Sequence, residues 1–299
     1  MDNRDRRARP DPSDYRLQVL DESWNQRLLQ MAKASPVKTE RMDIHFDRSP
    51  DLFAIPKLTS YKYRCLGLLK GDEAVGFAIA CYQRRYIEGR LTDVLYLGNM
   101  HVSRRGMGKL FLKKLYRRFM HIIPDSSDVK YLYAYIMGGN IPAMKLLDSG
   151  HLQPCVIGKI IMTTIFTIIP MKLSSDYQVR RADQGDIESI IELLQNEYSN
   201  RFLAPPMDQQ IFIENLRKRP NFTLENYFVA LKKGSVTGVC SAWDMTSFKK
   251  NRVLRYKKQL AALKVMYNGS ALLFGSPLLP SPGETMRDVT IAEYAVRNR

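Results

Sequence analysis

The residues best suited to chemistry lie in Leu97-Gly98-Asn99-Met100-His101-Val102-Ser103-Arg104-Arg105-Gly106-Met107-Gly108-Lys109-Leu110, where an apolar run meets a glycine pair and then a basic, helix-patterned segment. This order reads as strand, phosphate-binding turn and helix. Glycines let the backbone turn tightly with its N–H groups facing one concavity, and a helix starting near Lys109 adds unpaired amides and its positive dipole end. Such a place holds pyrophosphate. The spacing alone is uninformative, because a chain of 299 residues with 17 glycines holds about one Gly-x-Gly by chance. A plain loop before an amphipathic helix fits the same letters.

The flanking elements supply the context. Tyr15 to Leu20 reads as a first strand, and Trp24, Leu28, Met31 and Ala32 recur at helical spacing between Glu22 and Ala34. Tyr63 to Lys70 and Ala74 to Tyr82 flank Gly71-Asp72-Glu73 as a hairpin, and Asp93 to Val102 continues as a strand. From Lys109 to His121 the apolar Leu112, Leu115, Tyr116 and Phe119 form a helical stripe. Val129 to Ile136 follows as a strand, Pro142 opens a short helix reaching Leu147, and two more strands fit between Gln153 and Ile169.

Pro170 to Asp176 reads as a linker. Beyond it Tyr177 to Asp183 leads into a helix carrying Ile187, Ile190, Ile191 and Leu194, and a second hairpin turns at Lys233-Gly234-Ser235. The two halves thus share an order of strand, helix, second helix, hairpin and strand, the last being Asp288 to Val296 without a following Gly-x-Gly. The expected organisation is a mobile tail at 1–14, one domain at 15–173 and a second, incomplete or divergent, at 174–299.

Composition sets the outer limits. Apolar residues make up 45%, ample for buried cores, and the net charge of +16 favours anionic partners such as nucleotide phosphates, nucleic acid or acidic protein. Cys65, Cys81, Cys155 and Cys240 are scattered without metal-ligand spacing and no secretory signal precedes them, so free thiols in a reducing cytoplasm are expected, with no metal. The longest apolar run, Val156 to Ile169, is interrupted by Lys159 and three threonines and reads as strand, not as a membrane span.

At Leu97 to Phe119 and at Asn140-Ile141-Pro142-Ala143-Met144-Lys145-Leu146-Leu147 the chain resembles the GNAT superfamily of acyl-coenzyme A-dependent N-acyltransferases, and its whole length resembles a tandem GNAT arrangement. The first segment is similar to the family's Arg/Gln-x-x-Gly-x-Gly/Ala loop, the second to its Asn-x-x-Ala-x-x-Leu-Tyr helix entry. The resemblance implies an α/β fold of two GNAT-like domains, each a mixed, mostly antiparallel central sheet flanked by helices. It implies that the amides of Arg104, Arg105, Gly106, Met107, Gly108 and Lys109 hold the pyrophosphate of acetyl-CoA or another acyl-CoA. Met100 and Val102 would pair by backbone with the pantetheine arm and acyl carbonyl, and Asn140 would touch the coenzyme. Ser103 stands where the family has Arg or Gln, and Leu147 where it often has a proton-donating tyrosine.

Acyl transfer needs a neutral amine, and deprotonating a lysine-like amine at pH 7 costs about 4–5 kcal/mol. The candidate bases are Asp93, His101, Glu73 and Glu88, in that order, and the candidate acids are Tyr135 and Tyr96. The expected activity is transfer of an acetyl or other short acyl group to an amine on a small molecule or protein. The alternative is a non-catalytic module that binds coenzyme A or nucleic acid, and a homodimer is compatible with either. A second basic stretch, Phe248 to Lys258, mixes cations with aromatics as a nucleic-acid surface does. It also reads as a helix with a solvated cationic face over Val253, Tyr256, Leu260 and Leu263.

Overall fold

The computed structural model describes residues 14–38, 41–103, 111, 114, 129–137, 140–147, 155–160, 165 and 176–297. In the first half, β1 (Tyr15–Leu20) is followed by a 3-10 turn (Glu22–Trp24) and α1 (Asn25–Lys33). Asp21 caps that turn, its carboxylate accepting from the Ser23 backbone N–H at 3.0 Å. The short β2 (Val37–Lys38), β3 (Met42–Asp47) and α2 (Ala54–Thr59) come next, then β4 (Lys62–Lys70), β5 (Glu73–Ile87) and β6 (Arg90–Val102). A short β7 (Tyr131–Tyr133) and α3 (Ile141–Leu147) complete the half.

The sheet runs β1-β4-β5-β6-β7, antiparallel except for the parallel β6/β7 pair. Its centre is covered on both faces, which is why Cys65 to Leu69 and Val75 to Gln83 are continuously buried rather than alternating. Leu66, Leu68, Val75, Ala78, Ala80, Tyr82, Leu95 and Phe111 pack on one face. Leu28, Ala32, Leu52, Phe53, Phe77, Ile79 and Cys81 pack on the other, beneath α1. Each fully buried Leu or Phe contributes about 1.5–3 kcal/mol.

The second half repeats this plan. β8 (Gln178–Arg181), a 3-10 turn (Gln184–Asp186), α4 (Ile187–Ser199), α5 (Gln209–Lys218), β9 (Tyr227–Lys232), β10 (Ser235–Trp243) and β12 (Thr290–Val296) follow in the same order. Their sheet is β12-β10-β9-β8, all antiparallel, the counterpart of β6-β5-β4-β1. On its edge strand β12, Glu293, 2% exposed, accepts from the Tyr227 hydroxyl at 2.8 Å and the Ser241 hydroxyl at 3.0 Å. It also pairs with Arg219 at 2.6 Å. The guanidinium carbon of Arg219 lies 5.0 Å from the centroids of both Phe222 and Trp243.

Two insertions set the halves apart from a plain repeat, and they meet each other. β11 (Lys250–Tyr256) and α6 (Lys258–Phe274) interrupt the second half, and β11 pairs with β3 to give the sheet β11-β3-β2. Backbone bonds from Tyr86 N–H to the Ala204 carbonyl (2.9 Å) and from Leu203 N–H to the Tyr86 carbonyl (2.7 Å) add a second junction.

The expected helix through Phe248 to Lys258 is therefore corrected: Lys250–Tyr256 is strand, and helix begins only at Lys258. Val253 is buried, but Leu263, expected in the same stripe, is 51% exposed. A cross-strand partner two hundred residues away overrode the local helical spacing. Residues 155–160 and 165, inside the region expected to hold two strands, have no regular structure. The strand expected over Val129 to Ile136 is confined to Tyr131–Tyr133. Among the described residues no helix is long and apolar enough to cross a membrane.

Candidate functional site

The site is built around the far end of β6. Parallel pairing with β7 covers only Val94, Leu95 and Tyr96, opposite Tyr131, Leu132 and Tyr133. β6 then runs six residues further, to Val102, with β5 as its sole sheet partner among the described residues. On that stretch the strand's other edge offers N–H and C=O groups to any extended chain laid beside it.

A β-bulge lies in the same stretch. Phe77 faces His101 and Ile79 faces Gly98, so Asn99 and Met100 oppose the single residue Ala78. Asn99 takes up the extra length with φ 50°, a left-handed conformation that asparagine tolerates better than branched residues. The inserted residue reverses the alternation of faces. Before it, Leu95 and Leu97 pack with Phe111 while Tyr96 packs on the α1 face. After it, Met100 and Val102 return to the Phe111 face, and His101 stacks on Phe77 of the α1 face at 5.1 Å. Without the bulge His101 would enter the apolar layer under Phe111.

Gly98 permits a close approach here. A Cβ on it would lie 2.7 Å from Cε1 of Tyr96, whose ring folds along the strand over the glycine. Tyr96, Tyr133 and Tyr135 form a cluster with ring centroids 5.2 to 5.6 Å apart. Burial pushes the Tyr96 phenol up to about 12. The Tyr133 hydroxyl donates to Gln83 Oε1 at 2.7 Å, and Tyr135 stays half-exposed, its phenol also raised by burial and by Tyr133. All three are protonated at neutral pH and can donate.

The expected bases fall apart in space. Asp93 sits near the start of β6, opposite Arg84, with Oδ1 3.6 Å from Arg84 Nε. Six residues of strand place it roughly 20 Å from Asn99, so it and His101 cannot serve one reacting centre. His101 is at the split, but burial, then the charges of Arg48 and His45, hold its imidazole down to about 4. It is neutral at pH 7 and accepts a hydrogen bond without being a strong base. Glu73 begins β5 and Glu88 occupies the β5/β6 turn with φ 51°, both away from the split.

Ser103 closes β6. Its N–H donates to the Val75 carbonyl at 2.9 Å and its hydroxyl to the same oxygen at 3.0 Å. The side chain is turned back to β5. Asn140 caps α3, its Oδ1 accepting from Ala143 N–H at 3.3 Å. The predicted phosphate-binding residues Arg104, Arg105, Gly106, Met107, Gly108 and Lys109 lie outside the described residues, as does the side chain of Leu147. Of the helix that follows, Phe111 is fully buried beside Gly76 and the Lys114 ammonium donates to the Tyr15 carbonyl. These contacts place Phe111 and Lys114 over β1 and β5, with Phe111 on the Met100 and Val102 face.

Sequence reasoning missed Arg48 and His45. They stand on and just after β3, a strand with no signal beyond a two-residue alternation in Ile44 and Phe46, yet their charges act on His101 of β6.

No family model and no curated protein sequence matches the chain. Among solved structures, it is similar to a possible acetyltransferase from Clostridium difficile 630, with 13% identity, TM-score 0.36 and coverage of 50% of this chain and 98% of that one. The aminoglycoside N-acetyltransferase AAC(6')-Iy in complex with CoA gives 13% identity, TM-score 0.37, and coverage of 50% and 94%. A probable N-acyltransferase from Enterococcus faecalis V583 gives 10% identity and TM-score 0.48, covering 88% of this chain and 64% of that one.

Proposed function

We propose that the chain is an acyl-coenzyme A-dependent N-acyltransferase that moves an acetyl or other short acyl group onto an amine, with its site at the split between β6 and β7. The observation that carries this is the edge of β6 beyond Tyr96, unpaired among the described residues and interrupted by the Asn99 bulge. An arm containing secondary amides can pair there as an added strand, which fits pantetheine. The resemblance in sequence supplies the phosphate loop that would follow Val102.

Acyl-coenzyme A supplies an activated carbonyl when bound. The chain's own part is to bind, orient and move protons. Backbone groups of Met100 and Val102 hold the arm while their side chains stay anchored in the core under Phe111. Fixed N–H donors beside a carbonyl stabilise developing negative charge without a particular side chain. Tyr96 and Tyr135 hold phenolic protons at Oη in the cluster at the mouth of the split, ready for a departing thiolate in place of the tyrosine that Leu147 replaces. His101 accepts a hydrogen bond from the amine and orients it. With its imidazole near 4 and Asp93 distant, the amine enters neutral or loses its proton to water.

Isothermal calorimetry with acetyl-coenzyme A tests this. Saturable binding with thiol release across an amine panel is expected, and a double Gly106→Asp/Gly108→Asp change should abolish binding while leaving the circular dichroism spectrum intact. No binding to the folded wild type refutes the enzyme. Binding without thiol release favours a non-catalytic coenzyme module.

A further inference from the structure

Beside this split lies a cationic cluster that the proposed chemistry does not use. On the paired strands β3 and β11, His45 faces Arg252 and Asp47 faces Lys250, so that Arg48 and Lys249 stand together just beyond the last rung. Two neighbouring cations have carboxylates: Arg252 pairs with Asp47 at 3.4 Å and Lys257, just past β11, with Asp43 at 2.6 Å. Asp47 is further held by the Ser49 N–H at 2.9 Å, and Asp288 accepts from Asn251 at 2.9 Å.

Arg48 is different. Its Nε and Nη1 are buried and have no hydrogen-bond partner among the described residues, while the residue as a whole keeps partial exposure. Each two-nitrogen edge of a guanidinium that can grip an oxyanion includes one of those atoms together with Nη2. The neighbouring Asp47 carboxylate acts on Arg48 but makes no hydrogen bond to these nitrogens, and desolvated donors left unmet are costly, so the arrangement calls for an anion. The charge of Arg48 acts on Tyr96 and His101 of β6 and on the half-buried Lys249. It therefore sits on the α1 face of the split, opposite the face where Met100 and Val102 pack with Phe111.

We propose that Arg48, flanked by Lys249 and His101, seats an oxyanion of the acyl acceptor, making the preferred acceptor an amine that also carries a carboxylate or a phosphoryl group. This rests on the acyltransferase reading for the word acceptor, but not for the anion site. Binding there would also cancel part of the field that keeps His101 neutral.

The test uses the full chain. The His101 ring is followed by NMR while propionate or inorganic phosphate is added at constant ionic strength, and acetyl-coenzyme A binding is measured in parallel. A saturable change at His101 is expected, with its titration midpoint moving upward. The change should vanish in Arg48→Met, survive weakened in Arg48→Lys, and leave coenzyme affinity within about twofold. In turnover, β-alanine and 2-aminoethylphosphonate should each outperform propylamine, and the better of the two identifies the group. That advantage should fall roughly 10- to 100-fold in Arg48→Lys, as expected for a lost bidentate charged contact. No saturable response in the wild type, or an equal one in folded Arg48→Met, overturns the proposal. If Arg48→Met does not fold, the wild-type titration and Arg48→Lys decide. Oxyanion binding without coenzyme binding would sink the enzyme and keep the site; coenzyme binding without an oxyanion response would do the reverse.

Discussion

His101 should make the protein acid-sensitive by an amount that can be worked out. Burial against Phe77 and the neighbouring charge of Arg48 hold its imidazole at about 4 in the folded chain, whereas in the unfolded chain it titrates near its ordinary value of about 6.5. The unfolded state therefore binds more protons between these values. Stability is full above about pH 6.5 and falls as the pH drops toward 4. Taking the two protonation equilibria together, the loss between about pH 7 and pH 5 is about 2 kcal/mol, approaching about 3 kcal/mol below pH 4. Carboxylates lowered by hydrogen bonds, such as Asp21 and Asp186, lose stability in the same direction but lower in pH. The comparison that isolates His101 is thus urea unfolding at both pH values for the wild type and for His101→Phe, which keeps a ring on Phe77. The difference in stability between the two pH values should be about 2 kcal/mol smaller in the variant. Equal pH dependence in both proteins, or an NMR titration of His101 with a midpoint near 6.5, would show that the imidazole is not desolvated at the bulge.

Gly98→Ala should destabilise by about 1–3 kcal/mol, because its Cβ falls 2.7 Å from the Tyr96 ring and the tyrosine cluster must part; thermal unfolding with near-ultraviolet circular dichroism would register both effects. Glu293→Ala leaves Arg219 buried without its counter-charge and should cost about 3–5 kcal/mol in urea unfolding. A loss under about 1 kcal/mol would mean that Arg219 finds another partner. If the amine meets no strong base at the split, kcat/KM should rise about tenfold per pH unit below the amine's own pKa, and a plateau beginning near pH 6.5 would reveal a histidine base.

The hairpins at Gly71 and Gly234, the helix with Leu28 and Ala32, and the order of elements repeated in both halves were legible because they are short-range: turn chemistry and apolar spacing act between residues close in sequence. The strand up to Val102 was legible too, since an apolar run ending in Ser-Arg-Arg-Gly-x-Gly marks its own end. What stayed hidden depends on partners far along the chain. Nothing local in Phe248 to Lys258 says that it pairs with His45 and Phe46, so its cations read as a helical face. Nothing in the alternation from Asp93 to Val102 announces the extra residue at Asn99, because a bulge is decided by register against β5 and not by the strand's own letters.

The site divides along the same line. By itself the sequence determined the kinds of group available: a glycine-rich basic segment, a histidine near the end of a strand, and several tyrosines. Tertiary structure alone decided which of them share a place. It carried Asp93 down the strand from His101, turned His101 from the Phe111 face to the α1 face, and desolvated it into a neutral imidazole. It also brought Arg48 into the same pocket of low dielectric from another sheet. A side chain's type is written in its codon, but its charge state and neighbours come from burial and register, which only the folded chain possesses.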